Sequence, residues 1–209
     1  SREDLQRACK LRSGGRISEY LEDLELAGFI EGTGPVNRPE AERNLRYRII
    51  DPYLLFYFRF IRPSLRRIEQ AHGPPSFSSF VPERRLAAWR GLAFERLCYQ
   101  HAPLIAEKLG FGAVRYEYGP WFSRGSDACQ IDLLFLRADR AITLCEIKFQ
   151  EESVGKDVIA EVARKRTAFP NKKNLTIEPV LITASPPTED LVREGFFHRI
   201  LLLDQLFGP

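Results

Sequence analysis

The run QIDLLFLRADRAITLCEIKF, residues 130–149, constrains the fold more than any other stretch of the chain. Two apolar segments flank the short polar RADR at 137–140, which predicts two buried strands joined as an antiparallel hairpin. Inside those strands stand Asp132, Glu146 and Lys148, and a charge placed there is costly unless something pairs with it.

Side chains alternate along a strand, so Glu146 and Lys148 point to one face, together with Ile142 and Leu144, while Cys145, Ile147 and Phe149 point to the other. Two registers are open. If Leu136 faces Ile142, Asp132 lies opposite Glu146 and shares its face. If Leu136 faces Ala141, Asp132 meets Cys145, and only a bulge restores the cluster. Two carboxylates at one point repel, which raises a pKa or demands a cation. Mg²⁺ or Mn²⁺ meets that demand and is able to activate a water, with Lys148 beside it to steady charge developing on a phosphate. Asp132, Glu146 and Lys148 are therefore candidate catalytic residues for phosphodiester hydrolysis.

Hairpin and neighbours belong to a mixed α/β unit. From Arg84 onward, helix signals (RRLAAWRGLAFERLCYQHAPLIAEKLG, DVIAEVARKRTAF, TEDLVREGF) alternate with strand signals (AVRYEYGPW, IDLLFL, ITLCEIKF, PVLIT, RILLLD). Upstream, a helix capped by Ser13 carries apolar Ile17, Tyr20, Leu21 and Leu24 and stops at Gly28; a short strand, a Gly- and Pro-rich loop and the strand LRYRII follow. That order predicts the end of a winged helix-turn-helix over residues 1–52. An aromatic helical connector interrupted at Pro63 and a Pro-rich linker, HGPPSFSSFVPE, occupy 53–83, and the α/β domain occupies 84–209.

The sequence resembles two families. Asp132, thirteen intervening residues and Glu146-Ile147-Lys148, preceded by a helix bearing Glu95 in GLAFERLC, resembles the PD-(D/E)XK nuclease superfamily, although Gln130-Ile131-Asp132 lacks the Pro of that motif. The resemblance implies a restriction-endonuclease-like mixed sheet flanked by helices. It also implies that Mg²⁺ or Mn²⁺ is held by Asp132, Glu146 and the carbonyl of Ile147, with help from Glu95. Nearly the whole chain, through RYRIIDPYLLFYFRFI, WRGLAFERLC and CEIKF, resembles the C-terminal half of archaeal and bacterial AAA-type ATPases whose nuclease-like tail is a domain of unknown function. An N-terminal ATPase domain is then the expected neighbour, and the chain, with no Met at its start, reads as the excised tail. There is no GxxxxGK[ST] loop, so no ATP site is expected in these residues.

The remaining features decide between partners. Lys156, Arg164, Lys165, Arg166, Lys172 and Lys173 form a basic cluster suited to a DNA backbone, whereas a solvated helix face is the plain alternative. The helix after Ser13 exposes Arg16, Ser18, Glu19, Glu22, Asp23 and Glu25, an acidic surface that would repel a major groove, although Arg38, Arg43, Arg46 and Arg48 of the wing would suit a backbone. Tyr53, Phe56, Tyr57, Phe58 and Phe60 are expected in packing, and Cys145 in the core.

The net charge of +3 is too small to indicate a polyanion, and the four cysteines and three histidines lack zinc-site or disulfide spacing. No apolar run is long enough to span a membrane and no leader is visible, so a cytoplasmic location is expected. Two functions follow from one fold: a DNA-cutting enzyme, which as a double-strand cutter would work as a homodimer, or a non-catalytic regulatory tail that binds nucleic acid or protein.

Overall fold

A computed structural model of the chain describes residues 2–10, 16–36, 45–71, 73, 80–123 and 128–207. Two units emerge, one made of Ser1–Gly34 with Arg38–Ala88, the other of Pro35–Asn37 with Trp89–Pro209. The division falls within a helix, between Ala88 and Trp89, a few residues beyond the Pro-rich stretch.

The first unit begins with α1 (Arg2–Ala8) and α2 (Arg16–Leu26). α2 closes in a Schellman arrangement: Phe29 N–H donates to Leu24 O, Gly28 N–H donates to Glu25 O, and Gly28 takes φ of 72°, where only glycine is unstrained. Strands β1 (Ile30–Thr33) and β2 (Arg46–Ile49) pair antiparallel, and Arg48 reaches Glu31 across the pair at 2.9 Å. Asp51 caps α3 (Pro52–Phe56) by accepting the Tyr53 and Leu54 amides. A π-helical turn, Tyr57–Ile61, then leads into α4 (Arg62–Glu69). Pro63 has no N–H and its ring crowds the preceding turn, so the helix widens there instead of breaking.

Three expectations for this unit change. Ile17 and Leu21 of α2 are buried, but Tyr20 and Leu24 are largely exposed, because only one narrow stripe of this short helix finds cover. Phe60 is buried, whereas Tyr53 and Phe58 are not. Arg48, offered for a backbone, is engaged by Glu31. Ser13, Arg38 and Arg43 lie outside the described residues.

The second unit contains α5 (Glu83–Gln100, entered from the first unit), α6 (Ala102–Lys108), β3 (Tyr116–Phe122), β4 (Gln130–Arg137), β5 (Ala141–Lys148), α7 (Asp157–Ala168), β6 (Thr176–Thr183), α8 (Glu189–Arg193), β7 (Arg199–Leu202) and α9 (Leu203–Phe207). The strands form a five-stranded mixed sheet in sequence order, antiparallel through β3, β4 and β5, then parallel through β6 and β7. The final apolar run is strand only as far as Leu202, after which it turns helical.

Each face of the sheet has its own core. Phe94, Cys98, Ala102, Ile105 and Ala106 of α5 and α6 cover Leu133, Phe135, Cys145 and Ile147. Val158 and Val162 of α7, with Leu191 of α8, cover Leu134, Ile142, Leu144 and Leu181. This is why β4 and β5 are apolar on both sides. Among the described residues no helix is long and apolar enough to cross a membrane.

Candidate active site

The register places Leu136 opposite Ile142 and Leu133 opposite Cys145, where the ladder between β4 and β5 ends. Continued by one residue, that register sets Asp132 opposite Glu146. There is also a bulge. On the β3 side Gly119 faces Leu134 and Trp121 faces Ile131, so β4 carries one residue more than its partner across this interval. Accordingly Ile131 and Leu133, two residues apart, pack into opposite cores. The bulge re-aims Asp132, whose Oδ2 accepts the Ile147 amide N–H at 3.4 Å.

Glu146 faces α7 and is 1% exposed. Its Oε1 lies 2.9 Å from Lys148 Nζ and its Oε2 lies 2.5 Å from Lys165 Nζ. Both ammoniums also reach Glu161, at 2.8 Å for Lys148 and 3.2 Å for Lys165. Two carboxylates and two lysines thus alternate in a closed ring. Burial disfavours the charge on Lys165, yet Glu146, Asp132 and Glu161 together raise its pKa; Lys148 is likewise raised, against desolvation, by hydrogen bonds to Glu161 and Glu146.

Outside that ring stand Asp132 and Glu95. Burial, and then the Glu146 charge, push Asp132 up to about 6. Burial, then Asp132 and Glu146, push Glu95 up to about 7. For both carboxyls Lys165 opposes the rise more than Lys148 does. Four carboxyls against two ammoniums leave two negative charges when all ionise, and Glu95 and Asp132 carry the excess. The cysteines are poor nucleophile candidates here: burial, then Glu95, lifts the Cys98 thiol to about 12, and burial raises Cys145 well above its usual range.

The structure therefore sets Glu95, Asp132, Glu146 and Lys148 within electrostatic reach of one another. It corrects Lys165, which is not on the basic surface: its side chain is 7% exposed and salt-bridged to Glu146. Lys156, Arg164, Arg166, Lys172 and Lys173 are exposed. Lys165 and Glu161 had a legible signal. Val158, Glu161, Val162 and Lys165 recur at i, i+3, i+4 and i+7, the stripe that α7 turns to the sheet.

Hard oxygen donors and a deficit of two positive charges suit a divalent cation in chemistry and charge. Geometry is less advanced. Among the described residues no three His, Cys, Asp or Glu side chains stand ready to hold an ion, and Glu146 has a lysine on each oxygen.

A family model matches residues 57–162, half of the chain, from the π-helical turn to the middle of α7. The chain belongs to DUF234. This family comprises archaeal and bacterial proteins of unknown function, and the matched span includes Glu95, Asp132, Glu146, Lys148 and Glu161. A relative in Methanocaldococcus jannaschii, the uncharacterized protein MJECL04, is 28% identical over 138 residues, which cover 65% of this chain and 29% of that protein. No solved structure matches the chain.

Proposed function

We propose that the second unit of this DUF234 chain is a restriction-endonuclease-like domain that hydrolyses DNA phosphodiesters with Mg²⁺ or Mn²⁺. One observation carries the reading: Glu95 and Asp132, each half-buried, crowd the buried Glu146 with more carboxyls than the two lysines neutralise, and both are raised well above the usual carboxylate range. A stable core seldom retains such charge unless a site requires it. The order helix, antiparallel hairpin, helix, parallel strand around the charges supports the fold assignment. The first unit, a helix followed by a two-stranded hairpin, is read as a winged helix, and the whole chain as the tail of a multidomain AAA-type ATPase.

Asp132, Glu146 and Glu95, with the carbonyl oxygen of Ile147, would hold the cation. When bound, such an ion polarises a phosphate oxygen and lowers the pKa of a coordinated water. Lys148, 29% exposed, is the more solvent-accessible of the ring's two lysines, and its ammonium would steady charge on a phosphate. The exposed Lys156, Arg164, Arg166, Lys172 and Lys173 hold the DNA backbone.

The test is cleavage or nicking of linear, supercoiled and single-stranded DNA with Mg²⁺ and with Mn²⁺. The parent cuts at least one form, and Asp132→Ala and Lys148→Ala do not; equal cutting by all three would sink the assignment. Binding is checked separately. Arg164→Ala with Arg166→Ala is expected to weaken DNA binding uniformly across sequences and to flatten the slope of log affinity against log salt by about 0.9 for each lost contact. An unchanged slope removes this face from the interface.

A second reading, a non-catalytic tail that binds nucleic acid or protein, has one observation in its favour: both oxygens of Glu146 are held by lysines. DNA binding with an unaltered salt slope in Asp132→Ala and no cutting by the parent is its expected signature.

A further inference from the structure

Sequence spacing assigned Lys165 to the surface, and nothing in the proposed hydrolysis uses it. Its position is nonetheless the most central of any cation in the site. It is held 2.5 Å from Glu146 Oε2 and 3.2 Å from Glu161 Oε1, almost without solvent, whereas Lys148 is four times as exposed and sits 2.9 Å from the other Glu146 oxygen. Its ammonium acts on Asp132 and Glu95 as well as on Glu146. A positive charge that serves Asp132, Glu146 and Glu95 at once stands where a shared divalent cation would stand.

We propose that Lys165 is an internal counter-cation of this site, which a divalent ion must displace from Glu146 Oε2 before it binds. The proposal rests on the metal-dependent reading and adds a gate to it. Displacement leaves the ammonium a partner, because Glu161, one helical turn earlier on α7, already contacts it. Lys165 is thus a positioning residue: it offsets the mutual repulsion of the carboxylates while no ion is bound, and it withdraws along its own helix when one arrives. Lys148 is poorly suited to this part, since a lysine that leaves Glu146 for solvent would also leave the phosphate.

Mn²⁺ binding followed by calorimetry or electron paramagnetic resonance, without DNA, tests the gate. An opposite charge at this range is worth about one to three pKa units to a carboxylate, so Lys165→Gln is expected to bind Mn²⁺ about tenfold more tightly than the parent, or tighter still. Lys108→Gln, the same charge change on the exposed surface of α6, is expected to match the parent. Equal or weaker binding by Lys165→Gln overturns the gate while leaving the metal reading intact, as does an equal gain in Lys108→Gln. No Mn²⁺ binding by either the parent or Lys165→Gln overturns both. Should Lys165→Gln fail to fold, the parent answers by itself through the side-chain ammonium NMR signal of Lys165. That signal moves or exchanges away as Mg²⁺ is added, and a signal unchanged across the titration refutes the displacement.

Discussion

Asp132→Asn is expected to make the protein more stable at pH 8 and to cost it about a hundredfold or more in hydrolysis of DNA. Burial and the neighbouring Glu146 raise Asp132 to about 6 in the folded chain, above the 3.8 of a free aspartate. The native state therefore holds this proton more tightly than the unfolded state does. Stability from the protonated form is complete below about pH 4 and is lost as pH rises through about 6, because ionisation then places a second charge beside Glu146. Glu95, raised to about 7, follows the same sign and extends the loss to higher pH. At about 1.4 kcal/mol per pKa unit, removing the Asp132 charge is worth about 2–3 kcal/mol at pH 8 and little at pH 4. Urea unfolding in EDTA at both pH values measures it. Equal stability at pH 8, or a greater gain at pH 4, would contradict the electrostatic account. Mg²⁺ is expected to stabilise the parent and not the variant, which ties the stability defect to the proposed cation.

The largest loss of stability is expected from Glu146→Leu. The substitution leaves Lys165, 7% exposed, with only the 3.2 Å contact to Glu161. Breaking a buried ion pair from one side typically costs about 3–5 kcal/mol, most of it the desolvation of the charge left behind. Lys148 loses less, since it is partly exposed and keeps Glu161 at 2.8 Å. The double variant Glu146→Leu with Lys165→Met replaces the pair by apolar groups of similar size and is expected to recover most of the loss, because a well-packed apolar pair often matches a buried ionic one. A double variant no more stable than Glu146→Leu would mean that the two side chains are not energetically coupled. These variants separate the ring's structural part from any catalytic one, as neither is expected to cut DNA.

Much of the site was legible before the fold was known. Alternation along Ile142–Phe149 put Glu146 and Lys148 on one face, and the 2.9 Å contact between them follows from it. The hairpin needed only a short polar turn between two apolar runs. Register was a different matter, since one residue of slip separates a site from a pair of unrelated charges, and turn composition did not choose. The bulge in β4 depends on how β3 pairs, and β3 lies some ten residues away in sequence. Tyr20, Leu24, Tyr53 and Phe58 show the limit of hydrophobicity as a guide, for apolar residues remain exposed when no neighbouring element arrives to cover them.

By itself, the sequence determined a mixed α/β unit with two doubly covered strands and acids placed within them, because periodicity and burial are local demands that each segment states alone. The tertiary structure decided which charges neutralise which. α7 carries Lys165 and Glu161 to Glu146 from nineteen and fifteen residues away, and α5 brings Glu95 from farther still. Coulomb energy depends on distances that only packing sets, so a lysine indistinguishable in sequence from its basic neighbours became the one buried in the site.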